Sequence, residues 1–361
     1  MIKDPKFDDI RPYYEEEIPA AMQRMVAYPE FRVVCGYLFP DKPFEEVASV
    51  VASCRNVEEF QVRFMMPVVE ALMAKTTDGV TVEGMEKLDP AKAYLFVSNH
   101  RDIVMDAAFL QVLLRRAGLR TSEITFGANL MQGDLVVDFG KSNKMFKVER
   151  PTTVASPRAF LQSSVRLSEY IRWTITEKGE SVWIAQRNGR TKDGVDATDQ
   201  GIIKMFSLAG DIADLHIAPL AVSYEWEPCD VLKAAELTAL ERDHYYEKKP
   251  GEDLKSILTG ITQPKGRVHY TVCDPVTATD LAPWQDLPVN TFCRETAGLI
   301  DRRIRAGYKI WPNNRIAAHY LESNLSGGYT PREKAAFDAH LASVPEELRN
   351  TVLKIYAGPL L

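Results

Sequence analysis

One of the six histidines, His100, stands in the run NHRDIVMDAA at residues 99–108, with Asp102 and Asp106 close behind it. A histidine beside a carboxylate can act as a general base. The carboxylate fixes the ring tautomer and stabilises the imidazolium that forms when the ring takes a proton. The same run contains the word HRD, and residues 137–142 read VDFGKS, so kinase and phosphate-loop chemistry must also be weighed.

Spacing rules both of those out. A kinase catalytic loop places a metal-binding Asn five residues after the Asp of HRD, and here that position is Ala107. A Gly-rich nucleotide loop is expected upstream, yet residues 1–98 contain no GxGxxG. A phosphate loop needs a glycine five residues before the Gly of GKS, and that position is Leu135. No GxSxG supports a serine hydrolase. The five cysteines lie far apart, without CxxC or Cys/His ligand spacing, so neither a metal site nor a disulfide framework is expected.

The elements that position His100 follow from hydrophobic periodicity. YLFVS (94–98) is a short apolar run of the buried-strand kind and ends directly before the Asn-His pair. His100 therefore sits at the carboxyl end of a strand, where open α/β sheets bind ligands. DIVMDAAFLQVLLRRAG (102–118) reads as the helix that follows, with Asp102 as N-cap and Gly118 as C-cap. Further strands are expected at GVTVEG (79–84), MFKV (145–148), VWIA (182–185), HIAPLAVSYE (216–225) and RVHYTV (267–272), with helices at 156–178 and 201–211. This rhythm predicts an α/β fold, a mixed and mostly parallel sheet flanked by helices. Residues 1–76 read as an N-terminal helical region, with Pro67 kinking or starting a helix in the run at 60–75. Residues 77–283 form the α/β domain and 284–361 a C-terminal helical region.

Composition narrows the function classes. Apolar residues make up 45% and charged residues 26%, with a net charge of −6, as in an ordinary globular protein. An acidic chain argues against a dedicated nucleic-acid binder. The opening MIKDPKFDDIRPYYEEE is too polar for a signal peptide, and no run of 18 apolar residues occurs. A cytoplasmic protein is expected, compatible with peripheral contact at the inner membrane face. The basic runs RRAGLR (115–120) and Lys248-Lys249 could meet an acidic carrier protein or anionic lipid, although each alone reads as a solvated face.

The stretch VTVEGMEKLDPAKAYLFVSNHRDIVMD resembles the opening of the glycerolipid acyltransferase family, which includes the glycerol-3-phosphate and 1-acylglycerol-3-phosphate acyltransferases. Three more blocks follow in the family's order, KMFKVERP, VWIAQRNGRTKDG and HIAPLAVSY, so the resemblance spans residues 79–225. It implies transfer of a fatty acyl group in phospholipid synthesis. The donor would be an acyl thioester on coenzyme A or acyl carrier protein, used as co-substrate with no further cofactor. The acceptor would be a phosphate-bearing glycerol or lipid. His100 would be the base and Asp106 its partner, with Asp102 the alternative. Arg101, Arg150, Asn188, Gly189 and Arg190 would hold substrate. Two departures stand out. The family places four residues between His and Asp, which falls here on Met105, and Asn188 stands where the family usually has Glu. An amino-acid lipid acceptor, or a non-catalytic lipid- or carrier-binding protein on the same fold, is the alternative these departures leave.

Overall fold

The computed structural model describes residues 2–150, 153–322 and 327–360. Its strands are β1 (Val80–Glu83), β2 (Leu95–Ser98), β3 (Glu123–Gly127), β4 (Met145–Val148), β5 (Val182–Ala185), β6 (Ile217–Tyr224) and β7 (Val268–Val272). They form one sheet in the order β1-β7-β6-β2-β5-β3-β4. Strands β2 to β6 run parallel to one another. β7 joins β6 antiparallel, and β1 lies parallel to β7. The sheet is thus mixed and mostly parallel, as the rhythm of the chain predicts.

Period-two alternation sends neighbouring residues to opposite faces. In β2, Phe96 enters one apolar cluster while Leu95 and Val97 enter the other. The first cluster also takes Phe109 and Leu110 of the helix Met105–Arg116, together with Ile18, Met22, Phe31, Phe60 and Phe64 from the N-terminal helices. Those helices therefore close one face of the sheet. Around Pro67 the helix widens into an i→i+5 turn at Gln61–Met65 and resumes as Met66–Thr76. The proline supplies no N–H, so the turn before it has a donor fewer to satisfy. The second cluster packs the helices Pro157–Thr176 and Val289–Gly307 on the other face. A third joins the C-terminal helices, through Ile316, Phe337, Val352 and Tyr356, to Ala234.

Pro219 sits inside β6 without breaking it. The antiparallel ladder with β7 begins one residue later, at Leu220. Pro219 still offers its carbonyl, which accepts the N–H of Cys273 at 2.9 Å.

Several elements differ from the sequence-based expectation. Helix Met105–Arg116 starts three residues after Asp102, whose Oδ1 accepts the N–H groups of Val104 and Met105 at 2.9 and 2.8 Å. The helix expected over 201–211 ends at Phe206 and passes into a tighter turn at Ser207–Ala209. Among the elements with no counterpart in the periodicity reading, four frame the site. They are β3 and the helices Asp134–Ser142, Asp230–Asp243 and Glu252–Thr262. VDFGKS lies within the first of these helices, so its DFG and GKS words form no loop.

Candidate active site

The carboxyl ends of β2, β3, β4 and β5 share one edge of the sheet, and a cavity of about 680 Å³ opens there. Its walls carry Gly127 from β3, Val148 from β4, Ala185 from β5 and His100 just past β2. The volume lies within the range of small-molecule sites.

His100 is held from all sides. Its Nδ1 lies 2.9 Å from Asp106 Oδ2. Its carbonyl accepts the N–H of Thr191 at 2.7 Å. Its ring meets Trp183 edge-on, with centroids 5.6 Å apart. The side chain is 13% exposed and faces the cavity, while that of Asp106 is fully buried.

Asp106 is anchored as firmly. Besides the imidazole, Oδ2 accepts the backbone N–H groups of Arg101 and Asp102 at 2.6 and 3.0 Å. Oδ1 accepts the Tyr224 hydroxyl at 2.6 Å. Burial and the charge of Asp106 push the Tyr224 phenol well above its ordinary range, which keeps it a donor. A carboxylate oxygen only accepts, so the His100 proton belongs on Nδ1 and the Nε2 lone pair is left for chemistry. The extra residue in the His-to-Asp spacing is absorbed by the turn at residues 101–104 that precedes the helix.

Asp102 faces elsewhere. It is buried, with Oδ1 on the helix start and Oδ2 against Gly260, where a Cβ would come within 2.1 Å. Burial and the nearby Asp106 push its carboxyl up. No hydrogen bond joins it to His100 among the described residues.

Three arginines line the cavity. Arg150 follows β4, and Arg187 and Arg190 lie in the loop after β5 together with Asn188 and Gly189. Lys192 and Lys248 line it too but pair with Glu236 and Asp253. Among the described residues no ion pair engages Arg150, Arg187 or Arg190. Arg190 Nη1 is buried without a partner. Arg150 lies across Gly127, where a Cβ would stand 3.1 Å from Nε and Nη2. Burial lowers its pKa, with Asp253 opposing. Unpaired guanidinium groups in a partly dry cleft favour an anion, which a planar fork can grip through two bonds. Arg187 is absent from the residues expected to hold substrate. Its signal was its place beside Asn188, in the same block.

Arg101 requires a correction. Expected to hold substrate, it is turned away from the cavity and 1% exposed. Its Nη2 donates to Asp196 Oδ2 at 2.6 Å and to the Gly194 carbonyl at 3.0 Å, and Nη1 reaches Glu227 at 3.3 Å. Burial would lower its pKa, but Asp196 and Glu227 outweigh that and raise it. The basic run at 115–120 is engaged as well. Arg115, Arg116 and Arg120 pair with Glu58, Glu70 and Glu180 on the surface.

Residues 79–223 match the sequence model of the Acyltransferase family. Among solved structures, the 1-acyl-sn-glycerophosphate (LPA) acyltransferase PlsC from Thermotoga maritima is similar over 81% of this chain and 96% of that chain, with 14% identity and a TM-score of 0.41. No curated protein sequence matches the chain. The matched segment contains β1 to β5, nearly all of β6, the His100–Asp106 pair and all three cavity arginines. Residues 79–223 of the chain are thus an acyltransferase domain.

Proposed function

We propose that the protein transfers a fatty acyl group from a thioester to the hydroxyl of a phosphate-bearing glycerol acceptor, glycerol 3-phosphate or lysophosphatidate, in phospholipid synthesis. The observation that carries this reading is the buried His100–Asp106 pair opening on a cleft with three arginines that no ion pair engages among the described residues. The acceptor hydroxyl gives its proton to His100 Nε2, and its oxygen attacks the thioester carbonyl. The C–S bond then breaks, and the leaving thiolate takes the proton from the imidazolium. Asp106 stabilises that imidazolium in a dry setting. The arginines grip the phosphate and fix the hydroxyl near the base. The donor thioester sits on coenzyme A or acyl carrier protein and is consumed as a co-substrate.

Among the described residues no helix is long and apolar enough to cross a membrane. We place the protein in the cytoplasm, meeting its lipid substrates at the inner membrane face. Co-flotation with anionic vesicles tests that placement. The non-catalytic alternative rests on Asn188, and the intact His100–Asp106 pair weighs against it.

Thioester release with His100→Ala decides between catalysis and mere binding. Transfer at the wild-type rate in that variant would sink the catalytic assignment. Comparing lysophosphatidate, glycerol 3-phosphate and an amino-acid lipid with Arg150→Ala then tests the acceptor. A phosphate acceptor should lose affinity in the variant, whereas an acceptor whose KM stays put does not use this clamp.

A further inference from the structure

The base and the anion site come from different parts of the chain. His100 follows β2, whereas Arg187 and Arg190 belong to the loop at residues 186–199, which has neither helix nor strand until Gln200. Direct transfer depends on the distance between them, so something must hold that irregular loop to the histidine.

Asp196 joins the two. Its Oδ2 accepts Asn99 Nδ2 at 2.9 Å and Arg101 Nη2 at 2.6 Å, the two side chains flanking His100. Its Oδ1 accepts the Thr191 hydroxyl at 2.8 Å, and Thr191 is the residue after Arg190. The Thr191 N–H in turn donates to the His100 carbonyl. Asn99 is fixed in its own right, bonding the Val222 carbonyl and N–H at 2.9 and 2.7 Å and so docking on β6. Arg101 and Lys233 face Asp196 and Glu227 in one buried cluster, two charges of each sign. A buried charge cluster of this kind adds little stability compared with an apolar core, but it enforces one geometry.

We propose that Asp196 is a positioning residue that sets the distance between the base His100 and the anion site of Arg187 and Arg190. It touches no substrate and lies outside the cavity wall. It acts by tying both neighbours of the base to the loop that carries the guanidinium groups. This inference rests on the reading of His100 as base. Misplacing reacting groups by about 1 Å can cost about 100-fold in rate.

Two variants test it. Asp196→Asn keeps the shape and removes the charge. Thr191→Val removes one arm of the link, keeps the backbone N–H and leaves no buried charge unpaired, so it serves even if Asp196→Asn folds poorly. The readouts are kcat for acyl transfer, the Kd of inorganic phosphate by calorimetry, and Tm. The expected result for Thr191→Val is a kcat at least about tenfold lower, with the phosphate Kd within about twofold of wild type. A kcat near wild type in the folded variants would overturn the proposal. So would a kcat loss matched by equal losses of phosphate affinity and Tm, which is what general loosening produces. Failure of the wild type to bind phosphate at this site overturns it as well. His100→Ala separates the two levels. If that variant still transfers acyl groups, the catalytic reading itself fails. If it is inactive while Thr191→Val is unimpaired, only the role of Asp196 falls.

Discussion

Replacing Asp106 with asparagine isolates the charge of the carboxylate from its geometry. The orientation of the new amide is dictated by its surroundings. Two backbone N–H groups point at the Oδ2 position from 2.6 and 3.0 Å, so the amide oxygen must sit there and the NH₂ must face Tyr224. The hydroxyl of Tyr224 can turn and accept. His100 then keeps a partner for its Nδ1 proton, and the tautomer survives. What disappears is the negative charge beside the forming imidazolium. Two unit charges about 4 Å apart interact by about 4 kcal/mol at an effective dielectric of about 20. With roughly half the proton transferred at the transition state, the loss is about 2 kcal/mol, or about 30-fold in kcat. His100→Ala should cost at least about 100-fold, because the base itself is gone. Thiol release read with a chromogenic reagent at saturating acceptor measures both variants, and thermal melting confirms folding. If Asp106→Asn stays within about threefold of wild type while His100→Ala is inactive, the reasoning is refuted. The His100–Asp106 contact would then serve only packing.

Three other perturbations have definite outcomes. Gly127→Ala puts a methyl 2.7 Å from Asn129 Oδ1 and 3.1 Å from Arg150, so it should displace the guanidinium and raise the acceptor KM about tenfold, as steady-state kinetics beside Arg150→Ala will show. Gly194 has φ +81° and a Cβ there would stand 2.1 Å from the Ile355 carbonyl, so Gly194→Ala should lower Tm and activity together. Burial lowers the pKa of Lys265 to about 8 from its ordinary 10.5, with Asp102 opposing. In that window the unfolded chain binds more protons than the folded one, so this group's contribution to stability rises from pH 8 to 10.5. Urea titrations across the window should show that rise in wild type and a flatter response in Lys265→Met.

The strands that build the site's floor are legible because they are apolar and short. YLFVS and VWIA are buried on both faces, and their ends in the sequence and in the structure differ by at most one residue. β3 hides because it opens with Glu123, a buried charge neutralised by Lys178 and bonded by Tyr170 from other elements. A periodicity count scores that residue as polar surface. The helices Asp230–Asp243 and Glu252–Thr262 hide for a related reason. The first has few apolar residues in register, with Leu240 turned to the cavity, and the second buries little beyond Gly260 while Leu254 and Leu258 stay exposed. The aspartate that meets the histidine is a matter of turn geometry, which spacing alone leaves open. The misplacement of Arg101 has the same root. One residue after His100, it looks like a substrate contact until the turn that follows β2 directs it to the opposite side, against Asp196 and Glu227.

The seat of Gly194 under the Ile355 carbonyl also bears on how the protein matures during synthesis. The loop carrying Arg187 and Arg190 rests on the helix Glu346–Ala357, which is made more than 150 residues later. A nascent chain can form β2 to β6 and bring His100 onto Asp106 while the loop of Arg187 and Arg190 still lacks this support. Such a chain would hold its base in place before it could orient an acceptor. Competence would then arrive in one step, when the helix Glu346–Ala357 emerges and docks.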